Sequence, residues 1–383
     1  MKVFYEFGIR QINKKAEELC GDSVAYSSRP DRTTLVFSDG LGSGVKASIL
    51  STLTTRIANR MLDEGLPMDE VVQTVSETLP ICRVRKIAYS TFNMAQLFPQ
   101  GLAKMVVFDS PPPLLIHDNE IQHLVYEECE VGGKRICDYA FPLVPGDWLV
   151  LVSDGVINAG IGGAYPLGWG WDELAKYLAN HVHETLSANG LADKLARVVD
   201  ELYEGSPGDD VSIVVVKART KRTLVLFTGP PVDKSDDRRM VDALMAPLQK
   251  RVVCGGTTAN IVARELGRQI EVDLATGTDA VPSSGRVAGI DLVTEGTLTL
   301  TRALDILRSG VPDDELNLKL DGASSLVVLL READEIRVLV GRTINPAHQH
   351  PNLPRDLGLK TQIVHSLGEL LHNEGKEVQI EYY

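Results

Sequence analysis

The amino-acid sequence predicts two domains that mix helices and strands, the first built on an antiparallel or mixed sheet. In the first half, four acidic turns border four short, apolar, β-prone runs. In the second half, strand, turn and helix patterns alternate along the chain. The basic segment Lys217–Arg222 separates the halves. We therefore expect one domain over residues 1–218 and a compact α/β domain over residues 223–383.

The four acidic turns fall into two pairs that differ in chain direction. Asp39 and Asp154 each follow an apolar run, and each is followed by glycine. Asp22 and Asp209 instead precede such runs. The four side chains can meet at one edge only if the second pair of strands runs opposite to the first. This favours an antiparallel or mixed sheet over a doubly wound parallel sheet.

Four carboxylates brought together repel one another unless a cation neutralises them. No Cys or His stands at ligand spacing near these turns, so the available donors are carboxylates and glycine carbonyls, including that of Gly40. Donor sets of oxygen alone favour Mg²⁺ or Mn²⁺ over zinc. Each Asp-Gly pair taken alone is more simply an ordinary turn. The metal-site hypothesis depends on all four turns occurring together.

The motifs around these acids resemble those of a known family. They are Cys20-Gly-Asp-Ser23, Phe37-Ser-Asp-Gly-Leu-Gly-Ser-Gly44, Pro145-Gly-Asp147 with Leu151-Val-Ser-Asp-Gly-Val156, and Gly208-Asp-Asp-Val-Ser212. In order and spacing, over roughly residues 1–218, they are similar to the metal-dependent PP2C-type (PPM) protein phosphatases. The similarity is greatest to the bacterial SpoIIE-like branch, and within it to the stressosome feedback phosphatase. This resemblance implies an α+β fold, a four-layer α-β-β-α sandwich.

The resemblance also implies a centre of two Mn²⁺ or Mg²⁺ ions between the sheets. The implied metal ligands are Asp39, which bridges both ions, the Gly40 carbonyl, Asp154, Asp209 and, directly or through water, Asp22. Asp210 is expected to support the site without binding metal. A hydroxide that bridges the metals would attack phosphoserine or phosphothreonine, so no side chain is assigned as catalytic nucleophile. Leu41 stands where eukaryotic members often carry a histidine proposed as general acid, so the sequence names no such acid.

The resemblance implies phosphorylated STAS-domain proteins as substrates, in a stressosome or partner-switching pathway of stress signalling. Two other functions fit the same motifs. One is a non-catalytic phosphoprotein-binding scaffold on a phosphatase fold, although the loss of a metal aspartate would be its signature and none of the four motifs has lost one. The other is a hydrolase of a small phosphorylated molecule, because the surface that sets specificity lies outside the metal motifs.

The glycine-rich stretch Gly40–Gly44 precedes a helix that we expect to end near Gly65. Apolar residues recur in it near helical spacing: Val45, Ile49, Leu53, Ile57 and Met61. The stretch lacks the Lys-Ser/Thr of a P-loop and the third glycine of a dinucleotide fingerprint, so we interpret it as backbone that wraps the metal edge. The resemblance implies that helices beside this turn act as a regulatory switch. Val45–Glu64 is our candidate for it, and we expect Ile57 to be one of its packing residues.

Between the acidic motifs the sequence predicts sheet and supporting turns. Ile87–Phe98 and Lys104–Phe108 are β-prone, and Asp147 is interpreted as a turn residue. Three basic residues near the motifs are interpreted as exposed surface charges in preference to phosphate ligands: Arg29, Arg32 and Lys46.

Composition is consistent with a cytoplasmic protein. A formal net charge of −13 without a basic tail argues against nucleic acid or an anionic membrane as a partner. The 5 cysteines are odd in number and form no CxxC, as is typical of reduced thiols in a cytosol. The N-terminal residues do not resemble a signal peptide, and no apolar run approaches the ~20 residues of a spanning helix.

The second half predicts a β-turn-α alternation. Its first elements are a strand over Thr223–Phe227, a helix over about Asp236–Gln249, a strand over Arg251–Cys254 and a helix that runs through Leu266. That last helix opens with the turn Gly255, Gly256, Thr257 and Thr258, a geometry that can bind an anion but is also ordinary capping. His348 and His350 are more simply loop residues than metal ligands. We expect this domain to be regulatory or to dock a partner.

Overall fold

The chain, analysed as a computed structural model, divides into two compact units, Met1–Thr220 and Lys221–Tyr383. The structure describes residues 2–78, 90–185, 187–247, 249–273, 284–312, 315–316, 318–319, 321–343 and 356–383. Within these ranges, no helix is both long enough and apolar enough to span a bilayer.

The N-terminal unit contains two antiparallel sheets. Their strands are β1 (Val3–Ile12), β2 (Ser23–Ser28), β3 (Thr33–Ser38), β4 (Phe92–Phe98), β5 (Leu102–Phe108), β6 (Leu114–His117), β7 (Glu120–Gln122), β8 (Tyr126–Val131), β9 (Lys134–Pro142), β10 (Trp148–Val152) and β11 (Val211–Thr220). One sheet has the order β1-β11-β10-β6-β7 and the other the order β2-β3-β4-β5-β9-β8. Every neighbouring pair in both sheets is antiparallel. The predicted antiparallel arrangement is confirmed.

Helices cover the outer face of each sheet. They are α1 (Gly44–Asp63), α2 (Met68–Thr78), α3 (Asp154–Ile157), α4 (Trp171–His181) and α5 (Ala188–Leu202). Because successive strand side chains point to opposite faces, Phe37 of β3 packs with Leu151 of β10 between the sheets. Val36 instead packs outward with residues of α1 and α2, and Val150 with residues of α4 and α5. The expected four-layer α-β-β-α sandwich is confirmed.

The predicted strands between the acidic motifs are largely present. β4 begins at Phe92, later than the expected start at Ile87, and residues 87–89 lie outside the described part of the chain. Ser90 forms only an isolated bridge with Gly40. The run Lys104–Phe108 lies within β5.

Helix α1 ends as predicted, but its apolar stripe faces outward. Gly65, with φ of +91°, follows its last turn, and the Gly65 amide donates to the Leu62 carbonyl at 3.0 Å. Four of the five predicted stripe residues are exposed: Val45 60%, Ile49 53%, Leu53 49% and Ile57 36%. The buried face carries mostly small or polar residues, and the Thr55 hydroxyl lies 2.9 Å from that of Ser23 on β2. The expectation that Ile57 is a packing residue is wrong, because small side chains let this helix approach the sheet closely.

The C-terminal unit is built on one sheet with helices on both faces. Its strands are β12 (Thr223–Thr228), β13 (Gln249–Cys254), β14 (Ile270–Asp273), β15 (Ser284–Val287), β16 (Leu292–Thr294), β17 (Glu335–Val340) and β18 (Glu377–Tyr382). Its helices are α6 (Asp236–Leu244), α7 (Gly256–Leu266), α8 (Thr297–Ser309), α9 (Gly322–Glu332) and α10 (Asp356–Asn373). The sheet order is β14-β15-β16-β13-β12-β17-β18, with parallel pairing from β16 through β18.

Alternate residues of β12 divide between two cores in this unit. Leu226 packs with residues of α8, α9 and α10, whereas Phe227 packs with residues of α6 and α7. The unit is therefore the α/β layer structure that the sequence predicts. The expected helix end at Gln249 is wrong: α6 ends at Leu244, and the chain then reaches Pro247, which disfavours helix in the residue before it. His348 and His350 lie outside the described residues.

Candidate metal centre

Strand pairing brings the predicted acidic turns to one end of the sandwich. In one sheet, β2 pairs antiparallel with β3, and Ser23 lies opposite Ser38. Asp22, just before β2, is therefore a neighbour of Asp39, just after β3. In the other sheet, β10 and β11 also pair antiparallel, which places Asp154, after β10, beside the turn that precedes β11. The two sheets thus contribute one pair of acidic turns each.

Three of the four predicted acids line one cavity. Asp39, Asp154 and Asp209 border a space of about 440 Å³. Asp22 is 5% exposed, and its charge adds to the effect of burial in raising the pKa of Asp39. The structure therefore brings together all four carboxylates, with Asp22 buried among them.

The carboxylates affect one another strongly. Burial raises the pKa of Asp39, and the charges of Asp22 and Asp154 raise it further. Burial is also the largest cause of the raised pKa of Asp22 and of Asp154, to which the charges of Asp210 and Asp209 respectively add. The ionised forms are thus disfavoured in the protein alone. A bound cation would reverse this, since an opposite charge favours the ionised carboxylate.

The donor set fits hard divalent cations. The Oδ2 atom of Asp22 is buried without a hydrogen-bond partner, as expected of an oxygen that has a ligand other than protein. The other donors at the cavity are carboxylate and hydroxyl oxygens, which suit Mg²⁺ and Mn²⁺. Across the described ranges, however, no three Asp, Glu, His or Cys side chains stand in a ready-made chelating group.

Both Asp-Gly pairs need glycine because two chain segments approach closely. A Cβ on Gly40 would lie 2.4 Å from the carbonyl oxygen of Ala47 in α1, and a Cβ on Gly155 would lie 2.1 Å from that of Asp210. Neither glycine has a positive φ, so turn conformation is not the reason for them. Because glycine has no Cβ, the backbone next to Asp39 can approach α1, and the backbone next to Asp154 can approach the segment that carries Asp210.

Asp210 and Asp147 hold backbone instead of lining the cavity. The two carboxylate oxygens of Asp210 accept hydrogen bonds from the amides of Lys14 and Gly21, both at 2.9 Å. Asp147 accepts one from the Val144 amide at 2.7 Å, within its turn. These contacts agree with the supporting role expected for Asp210 and with the turn role expected for Asp147.

Several residues of the cavity lining were not predicted from the sequence. They are Lys14, Gly42, Ser90, Thr91, Asp109 and Pro111. Asp109 has φ of +49°, an uncommon backbone conformation for a residue other than glycine. Its place in the Asp-Ser-Pro-Pro-Pro turn was the available signal. For Lys14 the only signal in the sequence was weak: it lies in a polar stretch directly after a β-prone run.

The three basic residues considered as phosphate ligands do not line the cavity in the part of the chain that the structure describes. Arg29 forms an ion pair with Asp63 at 2.6 Å, and Arg32 donates to the backbone carbonyl of Asp63 at 3.0 Å. Lys46 is exposed on α1. These positions agree with the interpretation of all three as surface charges.

In the C-terminal unit, the predicted anion-binding turn lies between β13 and α7. Gly255 has φ of +120°, and α7 begins at Gly256. The Thr258 hydroxyl is buried and accepts a hydrogen bond from the Gly229 amide at 2.9 Å. Thr258 thus joins the first turn of α7 to the segment after β12, and anion binding at Gly255, Gly256, Thr257 and Thr258 stays a prediction.

Comparison with known proteins gives a family for the N-terminal unit. Residues 29–219 match the family of Stage II sporulation protein E (SpoIIE). Stage II sporulation protein E of Bacillus subtilis (strain 168) is 23% identical over 211 residues, which are 51% of this chain and 24% of that protein. The chain thus spans about a quarter of the length of this curated relative.

Solved structures resemble the same half. The PP2C phosphatase domain of Bacillus subtilis SpoIIE, with a fragment of its regulatory domain, aligns with a TM-score of 0.48 and 20% identity, over 57% of this chain and 63% of that one. The RsbU and RsbW domains of a Mycobacterium tuberculosis protein align with a TM-score of 0.46 and 18% identity, over 63% and 68%. Motif order, sandwich fold and sequence match agree: through residues 29–219, the chain belongs to the SpoIIE family of PP2C-type phosphatase domains.

Proposed function

We propose that the N-terminal unit is a metal-dependent protein serine/threonine phosphatase. The observation that supports this most is the meeting of Asp22, Asp39, Asp154 and Asp209 at one end of the sandwich. Their positions follow the order of the family's acidic motifs. The open cavity beside three of them has room for a phosphorylated side chain.

In this proposal, two divalent cations would be held by Asp22, Asp39, the Gly40 carbonyl, Asp154 and Asp209. When bound, such ions neutralise charge on a phosphoryl group and activate a water molecule for attack on phosphorus. Burial and the neighbouring carboxylates disfavour the ionised forms of Asp39 and Asp154, and bound cations would favour those forms. The close backbone contacts of Gly40 and Gly155 constrain the backbone from which the side chains of Asp39 and Asp154 project.

Leu41 removes one candidate for protonating the leaving group. Its side chain lines the cavity beside Asp39, where a histidine would be needed for the general acid of the eukaryotic enzymes. An apolar wall cannot donate a proton. The proton for the departing serine or threonine oxygen must therefore come from water or from another group of the site, and we assign no residue as the general acid.

The proposed substrates are phosphorylated STAS-domain proteins of a partner-switching or stressosome pathway. This assignment rests on the family resemblance, because the cavity itself defines only the phosphoryl end of the substrate. A phosphoprotein-binding scaffold and a hydrolase of a small phosphorylated molecule remain the alternative functions.

The deciding experiment is Mn²⁺-dependent release of phosphate from a phosphoserine STAS-domain protein by the full-length chain. We expect turnover by the wild type that is lost in Asp39→Asn. Asp200→Asn is the matched control, because it removes the same charge from an exposed position on α5. Equal turnover by Asp39→Asn, or none by the wild type across candidate phosphoproteins, would contradict the proposal.

The same assay separates the alternatives. A scaffold would bind the phosphoprotein without releasing phosphate. A small-molecule hydrolase would release phosphate from p-nitrophenyl phosphate and leave every phosphoprotein intact.

For the C-terminal unit we propose a regulatory or docking role. Its sheet and two cores are complete within Lys221–Tyr383, and the candidate metal centre lies wholly within the N-terminal unit. A chain that ends at Thr220 should therefore retain phosphatase activity and lose its response to the natural partner. Loss of activity together with the response would argue against a purely regulatory role.

A further inference from the structure

Lys14 follows β1 in a turn that is fastened to the acidic segment before β11. The Lys14 amide donates to Asp210 at 2.9 Å, and the Lys15 amide donates to the Pro207 carbonyl at 2.9 Å. Within the turn, the Glu17 amide donates to the Lys14 carbonyl at 3.0 Å. The turn at Lys14 is thus bonded to Pro207 and Asp210, which lie before and after Asp209 in the sequence. Its position relative to the cavity is set by these contacts.

The side chain of Lys14 reaches the cavity without making a tight ion pair there. It lines the cavity with Asp39, Asp154 and Asp209, and its Nζ lies 3.8 Å from Oδ1 of Asp209. That distance is longer than a hydrogen bond, which an ammonium and a carboxylate form at about 2.7–2.9 Å. The side chain is 36% exposed, so the ammonium can move on its flexible stem toward another anion.

The charge distribution of the cavity makes this ammonium distinctive. Among the lining residues that the structure describes, Lys14 is the only basic one. The lining also contains four carboxylates: Asp39, Asp109, Asp154 and Asp209. Arg29 and Arg32, two of the basic residues close to the acidic motifs in sequence, both donate hydrogen bonds to Asp63. Lys14 is therefore the side chain of this lining that could form an ion pair with a phosphoryl dianion in the cavity.

We propose that Lys14 binds the phosphoryl group of the substrate, and that in its absence the ammonium rests near Asp209. The proposal rests on the function proposed above, because it needs a phosphoryl group in this cavity. Lys14 would act on substrate affinity. A purely structural role, such as neutralising Asp209, would instead change the affinity for metal.

The test compares three variants of the full-length chain: Lys14→Gln, Lys14→Arg and Lys15→Gln. Lys15 is the matched control because it is the next residue, carries the same charge and is exposed outside the cavity lining. Calorimetry gives the affinity of each Mn²⁺-loaded protein for inorganic phosphate. A second titration, without phosphate, gives the affinity for Mn²⁺. Hydrolysis of p-nitrophenyl phosphate gives kcat and KM.

We expect Lys14→Gln to weaken phosphate binding about tenfold, equivalent to about 1.4 kcal/mol. Its KM should rise by a similar factor, while its affinity for Mn²⁺ stays equal to or above that of the wild type. Lys14→Arg should retain most of the phosphate affinity because the charge remains, and Lys15→Gln should match the wild type. Thermal unfolding of each variant checks that it is folded.

Three results would overturn the proposal: unchanged phosphate affinity in Lys14→Gln, a loss of Mn²⁺ affinity large enough to account for the effect, or no phosphate binding by the wild type. Phosphate binding that depends on Lys14, without turnover of any phosphorylated substrate, would support Lys14 and contradict the proposed phosphatase function. The two proposals can therefore fail separately.

Discussion

The close contact behind Asp154 gives a sharp prediction for Gly155→Ala. The added Cβ would lie 2.1 Å from the carbonyl oxygen of Asp210 and 3.3 Å from Cγ2 of Val211. An ordinary contact, at 3.4 Å or more, requires the Cβ and this oxygen to move apart by at least 1.3 Å. Overpacking of this kind costs about 1–3 kcal/mol. For a unit of this size, that loss lowers Tm by roughly 2–12 °C.

The same displacement should weaken metal binding. Gly155 follows one proposed ligand, Asp154, and Asp210 follows another, Asp209, so the clash pushes two carboxylates apart. Loss of support around metal ligands commonly lowers metal affinity about 10–100-fold. We expect Gly155→Ala to bind Mn²⁺ at least about tenfold more weakly than the wild type by calorimetry.

The control for this prediction is Gly163→Ala. A Cβ at Gly163 would meet only the Gly160 carbonyl oxygen, at an ordinary 3.5 Å. Its Tm and Mn²⁺ affinity should match those of the wild type in circular dichroism and calorimetry. A Gly155→Ala protein whose Tm and Mn²⁺ affinity both equal those of the control would refute the view that glycine here serves close packing.

Three further predictions concern charge and burial, each measured by thermal unfolding of the full-length chain. Because burial raises the pKa of Asp39, the contribution of Asp39 to the stability of the metal-free protein is fully present below the ordinary carboxyl pKa and is lost as pH rises through the raised value. Asp39→Asn should therefore raise Tm without Mn²⁺ at pH 8 but not at pH 4, and an equal effect at both would contradict this. The hydrogen bond to Asp147 raises the pKa of His117, so its contribution is present below the ordinary histidine pKa and lost above the raised one. His117→Gln should lower Tm at pH 6 and leave it unchanged at pH 9, whereas a loss at both would point to packing. Leu62→Asp places a charge at a fully buried position of α1 and should prevent stable folding. Leu53→Asp, at a residue 49% exposed on the same helix, should change stability by less than about 0.5 kcal/mol. Similar losses of stability in the two variants would contradict the assignment of the buried face of α1.

Local patterns in the sequence were sufficient to predict the antiparallel or mixed sheet of the first domain, whereas its four-layer sandwich was expected from the family resemblance. Asp22 and Asp39 border runs whose chain directions oppose each other, and only antiparallel pairing brings them to one end of a sheet. Apolar residues on both faces of β3 and β10 indicate strands covered on both sides, as in the central layers of the sandwich. These inferences need only the period of a strand and the position of an acid relative to it.

The parts that could not be predicted depend on contacts between distant segments. Nothing near Gly155 in sequence shows that the Asp210 carbonyl lies against it. Lys14 reaches the cavity because its turn is bonded to residues nearly 200 positions away, at Pro207 and Asp210. The buried face of α1 was missed because hydropathy ranks Ile49 above Ala47, whereas close approach to the sheet favours the smaller side chain.

The contact between α1 and the acidic turns gives physical content to the regulatory role that the family resemblance implies for this helix. Ala47, in its first turn, lies where a Cβ on Gly40 or Gly21 would clash, at 2.4 Å from its carbonyl oxygen and 3.0 Å from its Cβ respectively. These glycines are the chain neighbours of Asp39 and Asp22. This turn thus packs closely against the segments that carry both carboxylates, so we expect a shift of the turn to disturb their positions. The exposed apolar stripe begins in the same turn, at Val45, so a partner that binds the stripe would act directly on the geometry of the proposed metal ligands.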